Sequence, residues 1–145
     1  MKKTAWTIVA FCVISSSGLY AEEPPPLHEV KAIYVRPMSN DLDEALIQQL
    51  LKWDAIKVAF EANKADAVLI GGSDSRVVGV GTAIGPITAT RVEAEVTLLD
   101  PETSKSIWST KKSGGRGLLS VAEEIVKQLK KDWEKAAEKK KKSDG

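Results

Sequence analysis

Few side chains in this sequence are equipped for chemistry, and their positions narrow what that chemistry can be. The single histidine, His28, follows Pro24-Pro25-Pro26 almost directly. Nothing is expected to hold an imidazole in place there, so His28 reads as a solvated linker residue rather than a general base. The single cysteine, Cys12, lies inside an apolar run near the N-terminus. Cys12 sits in a segment expected to be removed on export, so with one His and no Cys the usual zinc sets, a Cys-His pair and a fold-embedded Ser-His-Asp triad are excluded or nearly so.

Carboxylates are what remains. Glu93 and Glu95 are two residues apart in a segment that alternates with Val92, Ala94 and Val96. In a strand that spacing puts both on one face, about 7 Å apart, a separation that suits paired-carboxylate hydrolysis. The simpler reading is the wet face of an antiparallel sheet. Asp41, Asp43 and Glu44 cluster where a helix should begin and read as capping and dipole-complementing residues.

Two glycine clusters invite comparison with phosphate loops. Gly79-Val80-Gly81 is followed by strand-like sequence, whereas a phosphate cradle must open a helix. Gly114-Gly115-Arg116-Gly117 does join a strand to a helix, so its free N–H groups and guanidinium offer an anion site; a flexible start to the helix is the plainer account. Lys127, Lys130, Lys131 and Lys135, with the run Lys139 to Lys142, could touch an anionic surface. Acids interrupt that patch and no aromatics interleave with it, which argues against nucleic acid. No catalytic, cofactor-binding or metal residue is assigned, and no cofactor is expected.

The elements that would position these residues follow from the pattern. Lys2 and Lys3, the uncharged apolar run from Ala5 to Ile14, and Ser15-Ser16-Ser17-Gly18 lead to Ala21 in the order of a cleavable signal peptide over 1–21. The apolar run is too short to span a bilayer, which needs about 20 residues. Phe11 precedes Cys12 where a lipoprotein signal wants a small residue, so the expectation is a periplasmic or secreted protein that is not a lipoprotein. Cleavage would leave no thiol, and no transmembrane anchor. The 145 residues carry 21 Lys and Arg against 20 Asp and Glu, so net charge points to no polyanionic partner.

Residues 22–29 read as a Pro-rich linker, 30–137 as a single domain and 138–145 as a Lys-rich disordered tail. Within the domain, Ala32 to Val35 reads as a strand buried on both faces, and Leu42, Leu46, Leu50 and Trp53 as the stripe of a helix opened by Asn40 or Asp41. Ile56 to Phe60 reads as a strand, and Ala67 to Ile70 as a central strand stopped by Gly71-Gly72. Val77 to Pro86 reads as a mobile Gly-rich hairpin or loop. Arg91 to Leu98 and Lys105 to Lys111 pair around the turn at Asp100-Pro101. Leu118, Ala122, Ile125, Leu129, Trp133 and Ala136 mark a long second helix. The predicted fold is α/β (α+β): a mixed sheet of about five strands, β-α-β-β-(Gly-rich hairpin or loop)-β-β-α, with both helices packed on it.

Tyr34-Val35-Arg36-Pro37-Met38, Ala65-Asp66-Ala67-Val68-Leu69-Ile70-Gly71, and Val96 to Thr103 leading to Ile107-Trp108-Ser109 carry a resemblance. Over about 30–133 the chain resembles small exported bacterial proteins with a CsgG-like or LpoB-like core. The resemblance implies a non-enzymatic envelope component, such as a secretion-pore subunit or an activator of cell-wall synthases. The lipid-bearing cysteine motif of such proteins is missing here. The Gly-rich segment looks too short for two membrane-spanning strands of about 9 to 11 residues each. The expected function is a non-catalytic binding or scaffold domain whose partner is an envelope protein or cell-wall component, bound through a sheet edge or the Gly-rich segment. A carboxylate hydrolase and a self-assembling structural subunit, forming homo-oligomers, are the alternatives.

Overall fold

The computed structural model describes residues 23–145; the signal-peptide expectation and Cys12 lie outside them. Five strands form one sheet in the order β2-β1-β3-β4-β5. They are β1 (Ala32–Val35), β2 (Lys57–Ala59), β3 (Ala67–Thr82), β4 (Gly85–Leu99) and β5 (Ser106–Gly114), with α1 (Leu42–Leu50) between β1 and β2 and α2 (Leu118–Ser143) at the end. β1 runs parallel to both β2 and β3, whereas β3, β4 and β5 form an antiparallel meander. This is the expected mixed five-stranded α/β arrangement with its order of elements.

Both helices cover the same face of the sheet. The stripe Leu42, Ala45, Leu46 and Leu50 of α1 and the stripe Val121, Ala122, Ile125, Val126 and Leu129 of α2 are buried. They meet Ile33, Leu69, Ala94, Val96 and Leu98 from the sheet in one core. Trp53 and Trp133 close the far end edge to face, with ring centroids 5.7 Å apart, a favoured aromatic geometry. Among the described residues the opposite sheet face carries no helix. β1 therefore alternates between half-buried and buried residues, correcting the expectation of a strand buried on both faces: its apolar run reflects its inner position, not two covering layers.

Three further expectations are corrected. The supposed linker does not stand clear of the fold: Leu27–Glu29 form a 3-10 turn, Leu27 packs on the core, and the Trp133 indole N–H donates to the Val30 carbonyl at 3.0 Å. The lysine run is not a loose tail, because α2 continues as helix to Ser143; Lys, Glu and Ala all favour helix, and cations suit its C-terminal end. Neither Asn40 nor Asp41 caps α1 through its side chain. Both adopt left-handed backbone (φ 57° and 58°), and the Asn40 amide instead donates to the Ser73 carbonyl at 2.8 Å.

The largest departure is in β3, which does not stop at Gly71-Gly72. It runs on to Thr82, turns through Ala83-Ile84, and returns as β4 in unbroken register from Thr82↔Gly85 to Val68↔Leu99. Flanking strands cover only the base of this hairpin: β1 pairs no farther than Leu69, and β5 no farther than Val92. The remainder, about 25 Å of two-stranded ribbon at the usual strand rise, stands free with both edges open. The Gly-rich segment is thus the end of an ordered arm. The expectation that it is too short to form long strands fails for the hairpin as a whole.

Asp132 joins α2 to the sheet from the helix side. The Trp108 indole N–H donates to its carboxylate at 2.9 Å, and the Gln128 amide donates at 3.1 Å. The Trp108 hydrogen bond above all, with help from Gln128, holds the Asp132 carboxyl below its ordinary value. A folded-state pKa below the unfolded one gives stability that is present above the unfolded value, about 3.9, and is lost as pH falls through the folded value. Asp132→Asn is expected to cost on the order of 1 kcal/mol at pH 7. It should also flatten the loss of stability between neutral and about pH 3, read as urea midpoints at the two pH values.

Candidate functional site

The hairpin divides the open sheet face into zones. Strand alternation and the register put Asp74, Arg76, Glu93, Glu95 and Arg91 on that face, with Lys111 of β5 opposite Glu95. Together they form a charged belt at the base of the arm. Beyond it, Val77 to Thr90 hold no charged residue in a chain that is 28% charged. Val77, Ile84 and Ile87 are 72%, 98% and 56% exposed. Two-stranded ribbons without a third strand or a helix to pack on are marginal in water, so this arm lacks a covering partner among the described residues.

The belt lines a shallow groove of about 270 Å³ formed by Ser39, Gly72, Ser73, Asp74, Arg76, Glu93, Glu95 and Lys111. Ser39 and Asn40 tie it to the segment before α1: the Ser73 N–H donates to Ser39 Oγ at 3.3 Å, beside the Asn40 hydrogen bond. Lys111 is ion-paired with Glu93, and Arg76 with Asp74 at 3.3 Å. The Lys111 hydrogen bond and charge hold the Glu93 carboxyl below its ordinary value, and Glu93 in turn raises Lys111. The pairing therefore favours the charged form of Glu93, the form bound to Lys111. Glu93 and Glu95 do share a face, as their spacing predicts, but in an open setting in which Glu93 is ion-paired.

The other candidates are scattered. Gly79-Val80-Gly81 lies within the β3 ladder, far from any helix start. Gly114 ends β5 and Gly117 precedes α2 with φ 97°, a backbone state for which glycine is suited; the cluster shapes the approach to the helix. His28 is not solvated as expected: its side chain is 15% exposed, near Glu29 at 3.9 Å. The 3-10 turn holds it, and its Nε2 has no hydrogen-bond partner. Lys127 pairs with Glu123 at 3.0 Å, Lys140 with Glu29 at 3.6 Å, and Lys139 to Lys142 wrap around the helix rather than forming one face. Among the described residues no group of three or more His, Cys, Asp or Glu side chains is placed to hold a metal ion. No described helix is long and apolar enough to cross a membrane.

Sequence reasoning missed the arm's regularity and Lys111's place in the belt. The alternation Ile87-Thr88-Ala89-Thr90, opposite in phase to that of Val92 to Leu98, was the signal for the first. Lys111 had none, because its partner is set by strand register.

No family model matches the chain, and no curated protein matches it. Solved structures do. A PelC dodecamer from Paraburkholderia phytofirmans is similar with a TM-score of 0.48 at 16% identity, over 74% of this chain and 93% of that one. Lipoprotein GNA1162 from Neisseria meningitidis follows with 0.43 at 17%, over 70% and 99%. An uncharacterized lipoprotein B from Nitrosomonas europaea gives 0.42 at 16%, over 80% and 83%. The structural neighbours are thus small bacterial lipoprotein-like proteins. The expectation of a periplasmic or secreted protein that is not a lipoprotein is corrected here: three of the similar structures are lipoproteins, the class it had set aside.

Proposed function

We propose that this chain is a non-catalytic, envelope-associated binding or scaffold protein, and that the hairpin arm is its docking element. The CsgG-like or LpoB-like order of elements belongs to this reading. One observation carries it: an ordered ribbon, uncharged from Val77 to Thr90, whose edges have nothing to pack on among the described residues. A strand with open N–H and C=O groups is a ready template for pairing. The glycines fit that use. A Cβ added at Gly79 or Gly81 would meet nothing within 4 Å among the described residues, so no described neighbour requires glycine there. Glycine within a strand commonly marks close approach by another backbone.

The test is chemical crosslinking of tagged protein in its own envelope fraction, comparing the intact chain with one whose arm is shortened by joining Arg76 to Arg91 through a two-residue turn. Intact protein is expected to capture an envelope component reproducibly and the shortened one to lose it. Equal capture by both would remove the arm from the account.

A further inference from the structure

The open face shows a symmetry along the strands that suggests what covers the arm. Asp74 and Glu93 are a register pair, and both belong to the belt. Moving from this level toward the arm tip, the open face presents Arg76 and Arg91, then Val78 and Ala89, then Ile87. Moving the same steps the other way, it presents Gly72 and Glu95, then Ile70 and Thr97, then Val68 and Leu99. At the far end of the second lane Ile70, Thr97 and Leu99 are half-buried and Val68, 6% exposed, is buried.

A two-fold axis above the open face, parallel to the sheet and perpendicular to the strands at the Asp74–Glu93 level, places these two halves opposite one another in two facing copies. We propose that the arm's partner is a second copy of this chain, packed open face to open face so that each arm covers the other copy's apolar lane. This deepens the reading of the arm as a docking element and rests on it. In that arrangement Val78 lies over Ile70 of the second copy, Ala89 over Thr97, and Ile87 over Leu99. Arg91 stands over Glu95, and Glu95 over Arg91, giving two equivalent opposite-charge contacts. Arg76 lies over Gly72, which leaves it room. The acids nearest the axis, Asp74 and Glu93, each keep their own cation.

An isologous interface requires this self-complementarity, and two sheets pack face to face at about 10 Å. The facing strips are two to three strands wide and about fourteen residues long. That is roughly 450 to 650 Å² of flat area on each copy, before side-chain relief is counted, close to the about 800 Å² per partner of a standard interface.

Sedimentation equilibrium of the purified chain over about 1 to 100 µM tests this, with folding of each variant checked by circular dichroism. The intact chain is expected to dimerise. Arg91→Glu and Glu95→Arg should each weaken dimerisation at least tenfold, because each puts like charges opposite one another twice. Mixing the two single variants, or combining both changes in one chain, restores an acid opposite every cation and should recover the dimer. Recovery on mixing is an effect that damage to either fold cannot produce. A monomer at all concentrations, or a dimer indifferent to these charges, overturns the inference. A monomeric chain that still captures an envelope component through its arm would overturn the second copy as partner and leave the docking role intact.

Discussion

Gly71→Ala is expected to lower the thermal midpoint by about 10 °C or more, the largest effect of any single methyl group in this fold. Gly71 pairs with Val96, and β3 approaches β4 so closely there that an added Cβ would collide with the Glu95 carbonyl and come within 2.9 Å of Val96 Cα. Those atoms are backbone in a ladder held by β5 on its other side, so relief requires moving two strands. Overpacking costs typically 1–3 kcal/mol, and more where the backbone must shift; in a domain of this size each kcal/mol is worth about 4–8 °C. Two neighbours serve as controls. At Gly72 the added Cβ meets only the Ser39 hydroxyl at 3.2 Å, a side chain able to rotate, so Gly72→Ala should be mild. At Gly79 it meets nothing, and alanine restricts the unfolded chain more than glycine does; Gly79→Ala should be neutral or slightly stabilising. Thermal melts of the three variants rank them, and a Gly71→Ala melt within about 2 °C of the intact chain would contradict the close approach.

Shortening the arm should do the opposite, abolishing docking while leaving the fold in place. No described side chain from Val77 to Thr90 belongs to the buried core, whose last hairpin member toward the arm is Val92. Ordering the ribbon costs conformational entropy of about 1–2 kcal/mol per residue, offset within the free chain only by the cross-strand ladder and its side-chain pairs. Replacing it by a two-residue turn between Arg76 and Arg91 therefore removes as much cost as stabilisation. The thermal midpoint is expected to move by no more than a few degrees while capture of the partner falls to background. Unfolding of the shortened chain would show instead that the arm is structural.

These predictions fall where the sequence was hardest to read. The helical stripes of Leu42 to Trp53 and Leu118 to Trp133 and the alternation from Val92 to Leu98 were legible because each is a local periodicity against one buried face. Gly71-Gly72 misled because glycine is a strong local breaker, while the requirement it meets, close contact with Val96, is set by a strand 25 residues away. The docking of the Leu27–Glu29 turn depends on Trp133, 103 residues from Val30; no local pattern announces it. Asn40 looked like a cap because its side chain is one by type, but its amide found Ser73 on β3 instead. The helical lysine run was readable from propensity alone, and charge was given too much weight there.

The candidate surface was half visible. Glu93 and Glu95 were placed on one face by spacing, and the Gly-rich segment was marked as a contact element. That it is an extended arm, and that Glu93 is paired at its base with Lys111, required the register.

Amide hydrogen exchange tests the central claim most directly, by comparing the free, dilute chain with the chain crosslinked in its envelope fraction. Amides from Val77 to Thr90 should exchange fastest within the sheet in the free chain, as expected of a ribbon with open edges, and become protected in the crosslinked state more than any other strand. Protection appearing elsewhere, with the arm still exchanging freely, would contradict the account.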